Sequence, residues 1–199
     1  MRTALILPAV AMAGFLSLAT PARAQTITDI VAASGGEGMF DSNRFDYDIL
    51  LNAVLAADLA GALGDPTASF TVFAPNDLAF VRLARDLGYA GTDESGAWSF
   101  LVSTLTDLGG GDPIPLLTNV LLYHVVPEEV TPFQLILLTL FDEEIPTLLS
   151  GATIDPFFFV LRDNEPGLSN PRVTFPFNVL ADNGRIHTIN RVLIPVALL

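Results

Sequence analysis

The chain has 199 residues, 51% hydrophobic and 16% charged, with 9 basic against 22 acidic side chains, a net charge of −13 and no cysteine. That composition is too apolar for a disordered chain, and a surface so acidic repels phosphate backbones, which excludes nucleic-acid binding as the main activity. Without cysteine there is no disulfide, thiolate metal site or cysteine nucleophile, and His124 and His187 are too few for a histidine-rich metal site.

Residues 1–24 read as a removable export signal. Arg2 supplies the charged start, residues 4–18 the apolar middle, and Ala22-Arg23-Ala24 the small-residue cleavage site before Gln25. The run is interrupted by Pro8 and Gly14 and is shorter than the roughly 20 apolar residues of a membrane span. No later stretch is long enough to span either. Cleavage after Ala24 leaves about 175 residues, one domain able to bury roughly 70% of its unfolded surface. It also removes Arg2 and Arg23 and no acid, leaving 7 basic residues, all arginine, against 22 acidic ones, a charge of −15.

A short helix is expected over residues 28–33, with Thr28 as N-cap and Gly35-Gly36 ending it. Leu50, Leu51, Val54, Leu55, Leu59 and Leu63 fall on a 3.6-residue stripe and predict one helix over residues 46–63. Residues 70–74 are aromatic and β-branched, hence a strand, after which Asn76 caps a helix carrying Phe80, Leu83, Ala84 and Leu87. Residues 91–112, between glycine-rich breaks, hold a helix near 97–108 and read as an insertion. Pro113 opens another helix, residues 123–126 form a strand, and Thr131-Pro132 start a helix to about residue 138. Beyond it, residues 144–148, 153–155, 157–161, 172–175, 178–181 and 185–193 are short β-like runs. Helices first and strands later make the fold α+β, a single domain over residues 25–199. Asn183-Gly184 is the strongest hairpin signal in the chain and is expected to join residues 178–182 to 185–192.

Three segments, Thr71 to Phe80 (TVFAPNDLAF), Leu121 to Val126 (LLYHVV) and Asn183 to Pro195 (NGRIHTINRVLIP), resemble in order and spacing the two boxes and the central Tyr-His motif of the fasciclin domain family. The resemblance covers about residues 26–195. It implies a wedge of two β-sheets with surrounding helices, an extracellular adhesion role and no catalytic site or cofactor. The family-motif positions are Thr71, Phe73, Ala74, Pro75, Asn76, Phe80, Tyr123, His124, Asn183, Gly184 and His187, with a structural role expected for each. Integrin-binding members carry an Asp-Ile pair upstream of the Asn-Gly turn. Here those positions are Asn178 and Val179, which remain as partner-contact positions without the acid that approaches an integrin's metal ion.

The function expected is therefore that of an exported, non-catalytic adhesion module, periplasmic or at the cell surface, binding a cell-surface or matrix protein or polysaccharide. One alternative is a carrier of a small apolar ligand, which needs a pocket lined by Phe and Leu. The other is a hydrolase, but no Gly-x-Ser-x-Gly elbow is present and a triad has only His124 or His187 to draw on. His124, set in an apolar strand, and His187 are expected as buried, hydrogen-bonded side chains. No metal site is assigned, although Glu128-Glu129, Asp142-Glu143-Glu144 and Asp163-Asn164-Glu165 offer oxygen ligands for weak calcium binding. Residues 133–138 and Phe157-Phe158-Phe159 are apolar runs for which core burial is expected, the latter in a strand covered on both faces. Exposure of Phe158 is the sign that a binding surface exists.

Overall fold

The computed structural model describes residues 25–35 and 39–196. The proposed export signal lies outside the described residues. Helix α1 (Ile27–Ser34) is capped by Thr26, not Thr28: the Thr26 hydroxyl accepts from the Asp29 N–H at 3.3 Å while the Asp29 carboxylate accepts from the Thr26 N–H at 3.0 Å. The expected long helix is two, α2 (Asp48–Ala56) and α3 (Ala60–Leu63), because Asp58 between them turns left-handed at φ +56°. Aspartate is one of the few residues that accept that conformation. The hydrophobic stripe persists across the break, so periodicity alone does not reveal it.

Strand β1 (Phe70–Pro75) leads into α4 (Asp77–Asp86), whose cap is Asn76, its side-chain oxygen 3.0 Å from the Ala79 nitrogen. Asp93 caps α5 (Glu94–Leu108), which begins a turn earlier than expected and packs on α4. Helix α6 (Ile114–Tyr123) runs through Tyr123, so the expected strand shrinks to β2 (Val125–Val126), and His124 is the C-cap of a helix instead of a strand residue. A Thr131–Gln134 capping box opens α7 (Pro132–Phe141). Then come β3 (Ile145–Pro146), β4 (Thr153–Phe157), β5 (Val160–Arg162), β6 (Val179–Ala181) and β7 (Gly184–Ile189).

Among the described residues two sheets form, one of four strands in the order β2-β1-β7-β6 and one of three in the order β3-β4-β5. The fold is thus α+β. At the centre of the larger sheet β1 and β7 run parallel, Phe70 opposite Gly184 and Pro75 opposite Ile189, with all the intervening chain in the crossover. One face of this pair, with Val72, Ala74 and Ile186, lies under the helices. The other, with Phe73 and Ile189, joins Tyr123, Leu135, Ile154 and Leu161 in a second core against the smaller sheet. Because both faces are covered, residues 186–189 are buried without interruption, and the polar–apolar alternation of a one-sided sheet is absent. Residues 172–175 form no strand. They bridge the sheets, Arg172 pairing with Val160 and Val173 with Ile189.

Candidate functional site

The family-motif side chains are spread over both cores and the segments that tie them together. Thr71 ties β1 to the loop after β2, its hydroxyl donating to the Glu128 carbonyl and accepting from the Val130 N–H, both at 2.7 Å. Phe73 is fully buried, worth about 2–3 kcal/mol of apolar burial, and stacks on His187 with ring centroids 5.7 Å apart. Ala74 and Phe80 lie in the helix-side core, and Pro75 ends β1. Tyr123 reaches the smaller sheet, donating to the Thr153 carbonyl at 2.8 Å.

Both histidines use both ring nitrogens. His124 Nδ1 donates to the Val120 carbonyl at 2.7 Å and Nε2 accepts from the Leu193 N–H at 2.9 Å. His187 has the opposite tautomer, Nε2 donating to the Val130 carbonyl at 2.7 Å and Nδ1 accepting from the Asn178 N–H at 3.2 Å. Burial disfavours the charged imidazolium at each, taking His124 down to about 4 and lowering His187. Neither ring is free to act as a base in an open cleft.

The hairpin differs by one residue from expectation. Ala181 pairs with Gly184, so the two-residue loop is Asp182-Asn183 and Gly184 belongs to β7. Asn183 holds three segments together, accepting from the Ile27 N–H at 2.9 Å and donating to the carbonyls of Leu63 and Asp65 at 2.8 and 3.0 Å. Asn178 sits left-handed at φ +57° and accepts from Arg185 at 2.8 Å, and Arg185 also pairs with Glu129 at 2.7 Å. Val179 is half-buried against the helix-side core.

The phenylalanine run is where the structure overturns the expected burial. Phe157 pairs with Val160, which makes Phe158-Phe159 the two-residue loop of the β4–β5 hairpin, with Phe158 left-handed at φ +54°. The three rings are surface groups, Phe158 being 44% exposed. With Val160, Arg172 and Val173 they line an open hollow of ≈ 330 Å³. Phe177 extends the patch, 6.4 Å from Phe159, and Arg162 lies 4.5 Å above the Phe157 ring. On α7 only Leu135 is fully buried, and Phe133, Leu140 and Phe141 face outwards, so that run too is less buried than expected. A second concavity, a groove of ≈ 370 Å³, lies between α5, α6 and the β3–β4 connection and includes Leu105, Leu116, Val120 and Leu149 but no phenylalanine.

Carboxylates gather where the sequence did not single them out. Asp41, Asp48 and Glu94 bring oxygens within 4.8 Å of one another, as do Asp46, Asp48 and Asp77. Asp46, Asp48, Asp77 and Glu94 are all buried. Asp77 caps α2, accepting from the Asp48 and Ile49 N–H groups at 3.1 and 2.7 Å. Desolvation, aided by neighbouring Asp46, pushes Asp77 up to about 9, and desolvation with Asp46, Asp41 and Asp48 pushes Glu94 up to about 7. The acidic loops expected to offer calcium ligands form no such convergence among the described residues. Asp163 instead accepts backbone N–H groups of Glu165 and Ile194. The one sequence signal for the buried cluster is the spacing of Asp41, Asp46 and Asp48 leading into α2.

The Fasciclin domain family model matches residues 45–195. Protein sll1483 of Synechocystis is 32% identical over 96% of this chain and 90% of its own length. Uncharacterized protein sll1735 of the same organism is 31% identical over 74% of this chain and 89% of its own. Among solved structures, a FAS1 domain pair from the insect cell adhesion molecule fasciclin I superposes with a TM-score of 0.56 at 17% identity, over 85% of this chain. This chain spans about half (51%) of that pair.

Proposed function

The chain belongs to the fasciclin domain family, and from that premise we propose that it is an exported, non-catalytic adhesion module that binds a cell-surface or matrix component, protein or polysaccharide. Fasciclin domains are in general adhesion and interaction modules. The observation that carries the reading for this chain is the exposed Phe157–Phe159 hairpin tip with Phe177, an apolar patch outside the family motifs and on a strongly acidic protein. The export-signal pattern of residues 1–24 supports this reading, and no helix of the described residues is long and apolar enough to cross a membrane. The engaged nitrogens of His124 and His187 support a non-catalytic role, since a triad base needs one nitrogen free for the nucleophile.

The test is saturable binding of the labelled protein to intact cells, protease-treated cells and extracted surface polysaccharide, for the natural chain and Phe158→Asn. Asparagine keeps the left-handed loop and removes the ring. Binding that drops at least about tenfold with an unchanged melting temperature supports the patch as the contact, the loss of one buried aromatic anchor being worth that much. Loss on protease treatment identifies a protein partner, and retention on polysaccharide the other. Equal binding by the variant removes the patch from the reading. The leucine-lined groove supports a second reading, a carrier of a small apolar ligand, for which its volume is at the small end. Stoichiometric uptake of a fluorescent fatty acid with no cell binding would favour that carrier.

A further inference from the structure

We propose that Asp41, Asp48 and Glu94, with Asp46 beside Asp48 as a further charge, form a binding site for a hard divalent cation, calcium in preference to magnesium, between the loop before α2 and the start of α5. Two of these side chains point to a ligand by themselves. Glu94 is 3% and Asp46 5% exposed, and Glu94 Oε2 and Asp46 Oδ1 are shielded from solvent with no hydrogen-bond partner among the described residues. A buried carboxylate oxygen without a donor is strongly disfavoured, so the fold retains it only if something positive meets it. The neighbouring cation, Arg44, directs its guanidinium to the Thr92 carbonyl at 3.3 Å.

The spacing fits an ion. Oxygens bound to one calcium at about 2.4 Å lie no more than about 4.8 Å apart, and the Asp41, Asp48 and Glu94 oxygens all fall within 4.8 Å of one another. Asp48 is common to both trios, which places it at the centre, with Asp46 on the Asp77 side. Asp77 is occupied as the cap of α2 and acts as a positioning residue, fixing the first turn that carries Asp48. The ligand set is assembled from a loop, a helix start and a second helix, all carboxylate oxygens. Such an adaptable all-oxygen set suits calcium's variable coordination better than the small octahedron that magnesium demands.

The single tryptophan of the chain, Trp98, stands one helical turn from Glu94 on α5. Terbium, a luminescent stand-in for calcium, is therefore excitable through Trp98 when bound at this site. The experiment titrates the full exported protein with terbium and then with calcium, and measures melting with calcium or chelator, for the natural chain, Asp41→Asn and Glu94→Gln. Asp41 is exposed, so its variant tests the site without risk to the core. Expected are saturable sensitised emission reversed by calcium, a melting temperature that rises with calcium, and an affinity about tenfold or more weaker in both variants, since affinity follows ligand charge count. Emission and calcium response unchanged in both variants would place binding elsewhere and overturn the proposal. So would an absence of both in the natural chain, leaving protons to neutralise the cluster. Because cell binding is not the readout, failure here is distinguishable from failure of the adhesion reading.

Discussion

A few residues carry geometric demands that no neighbour can relieve. Gly184 is the strongest case. It sits at φ +141°, and a Cβ there would overlap the carbonyl of Phe70 across the parallel β1–β7 pair. Gly110 is also left-handed, at φ +68°, but open space surrounds it. Gly184→Ala is therefore expected to cost about 3 kcal/mol or more, whereas Gly110→Ala is expected to cost about 1 kcal/mol, the ordinary penalty for a side chain at positive φ. Chemical denaturation of the two variants checks the contrast, and equal losses would mean that contact with Phe70 does not govern position 184. Phe158 is the same geometry used differently: a bulky ring held left-handed at a hairpin tip is conformationally costly, and such strain gathers at functional positions.

Among the elements, ends matter more than interiors. Helix α4 is started by Asn76, which is buried between β1 and the helix and whose own N–H reaches the Ile189 carbonyl at 3.3 Å. Asn76→Ala is expected to cost about 1 kcal/mol and lower the melting temperature by roughly 2–4 °C, while Asn76→Ser, which retains a capping oxygen, recovers most of it. Thermal unfolding of both variants decides. If serine fails as badly as alanine, the role of Asn76 is packing and not capping. Helix α2 lacks a cap of its own and borrows Asp77 from the start of α4, so the two helices begin as one unit. The first family-motif segment and the helix before it are coupled through that carboxylate.

For the whole molecule, proton linkage is the property that follows from how the cores close. His124 joins α6 to the C-terminal segment at Leu193 from inside the protein. Its folded pKa of about 4 lies below the ordinary 6.5, so between these values the unfolded chain binds the extra proton. The stabilisation from neutral His124 is complete above pH 6.5 and is lost as the pH falls towards 4. Glu94, raised to about 7 from 4.5, works in the opposite direction over much of the same window, so a melting curve alone mixes the two. Imidazole nitrogen shifts separate them. His124 is expected to remain neutral with its proton on Nδ1 at pH 5.5, and neutral His187 is expected to carry its proton on Nε2. An imidazolium signal from His124 at that pH would contradict its placement.

Local chemistry was legible in the sequence wherever a signal is short in range. The Asn76 and Thr131 caps, the β1 run, the hydrophobic stripe of α2 and the three family motifs are each written in a few adjacent residues, and they suffice for the α+β class and the family. Tertiary structure decided what depends on distant partners. A left-handed Asp58 divides a continuous stripe, and a hairpin loop of two phenylalanines carries none of the usual turn residues. Phe157–Phe159 therefore read as core, although their strands place them on the surface. The carboxylate cluster is likewise invisible in one dimension. Asp46 precedes α2, Asp48 begins it, Asp77 begins α4 and Glu94 begins α5, and only the packing of those helix starts brings their charges together.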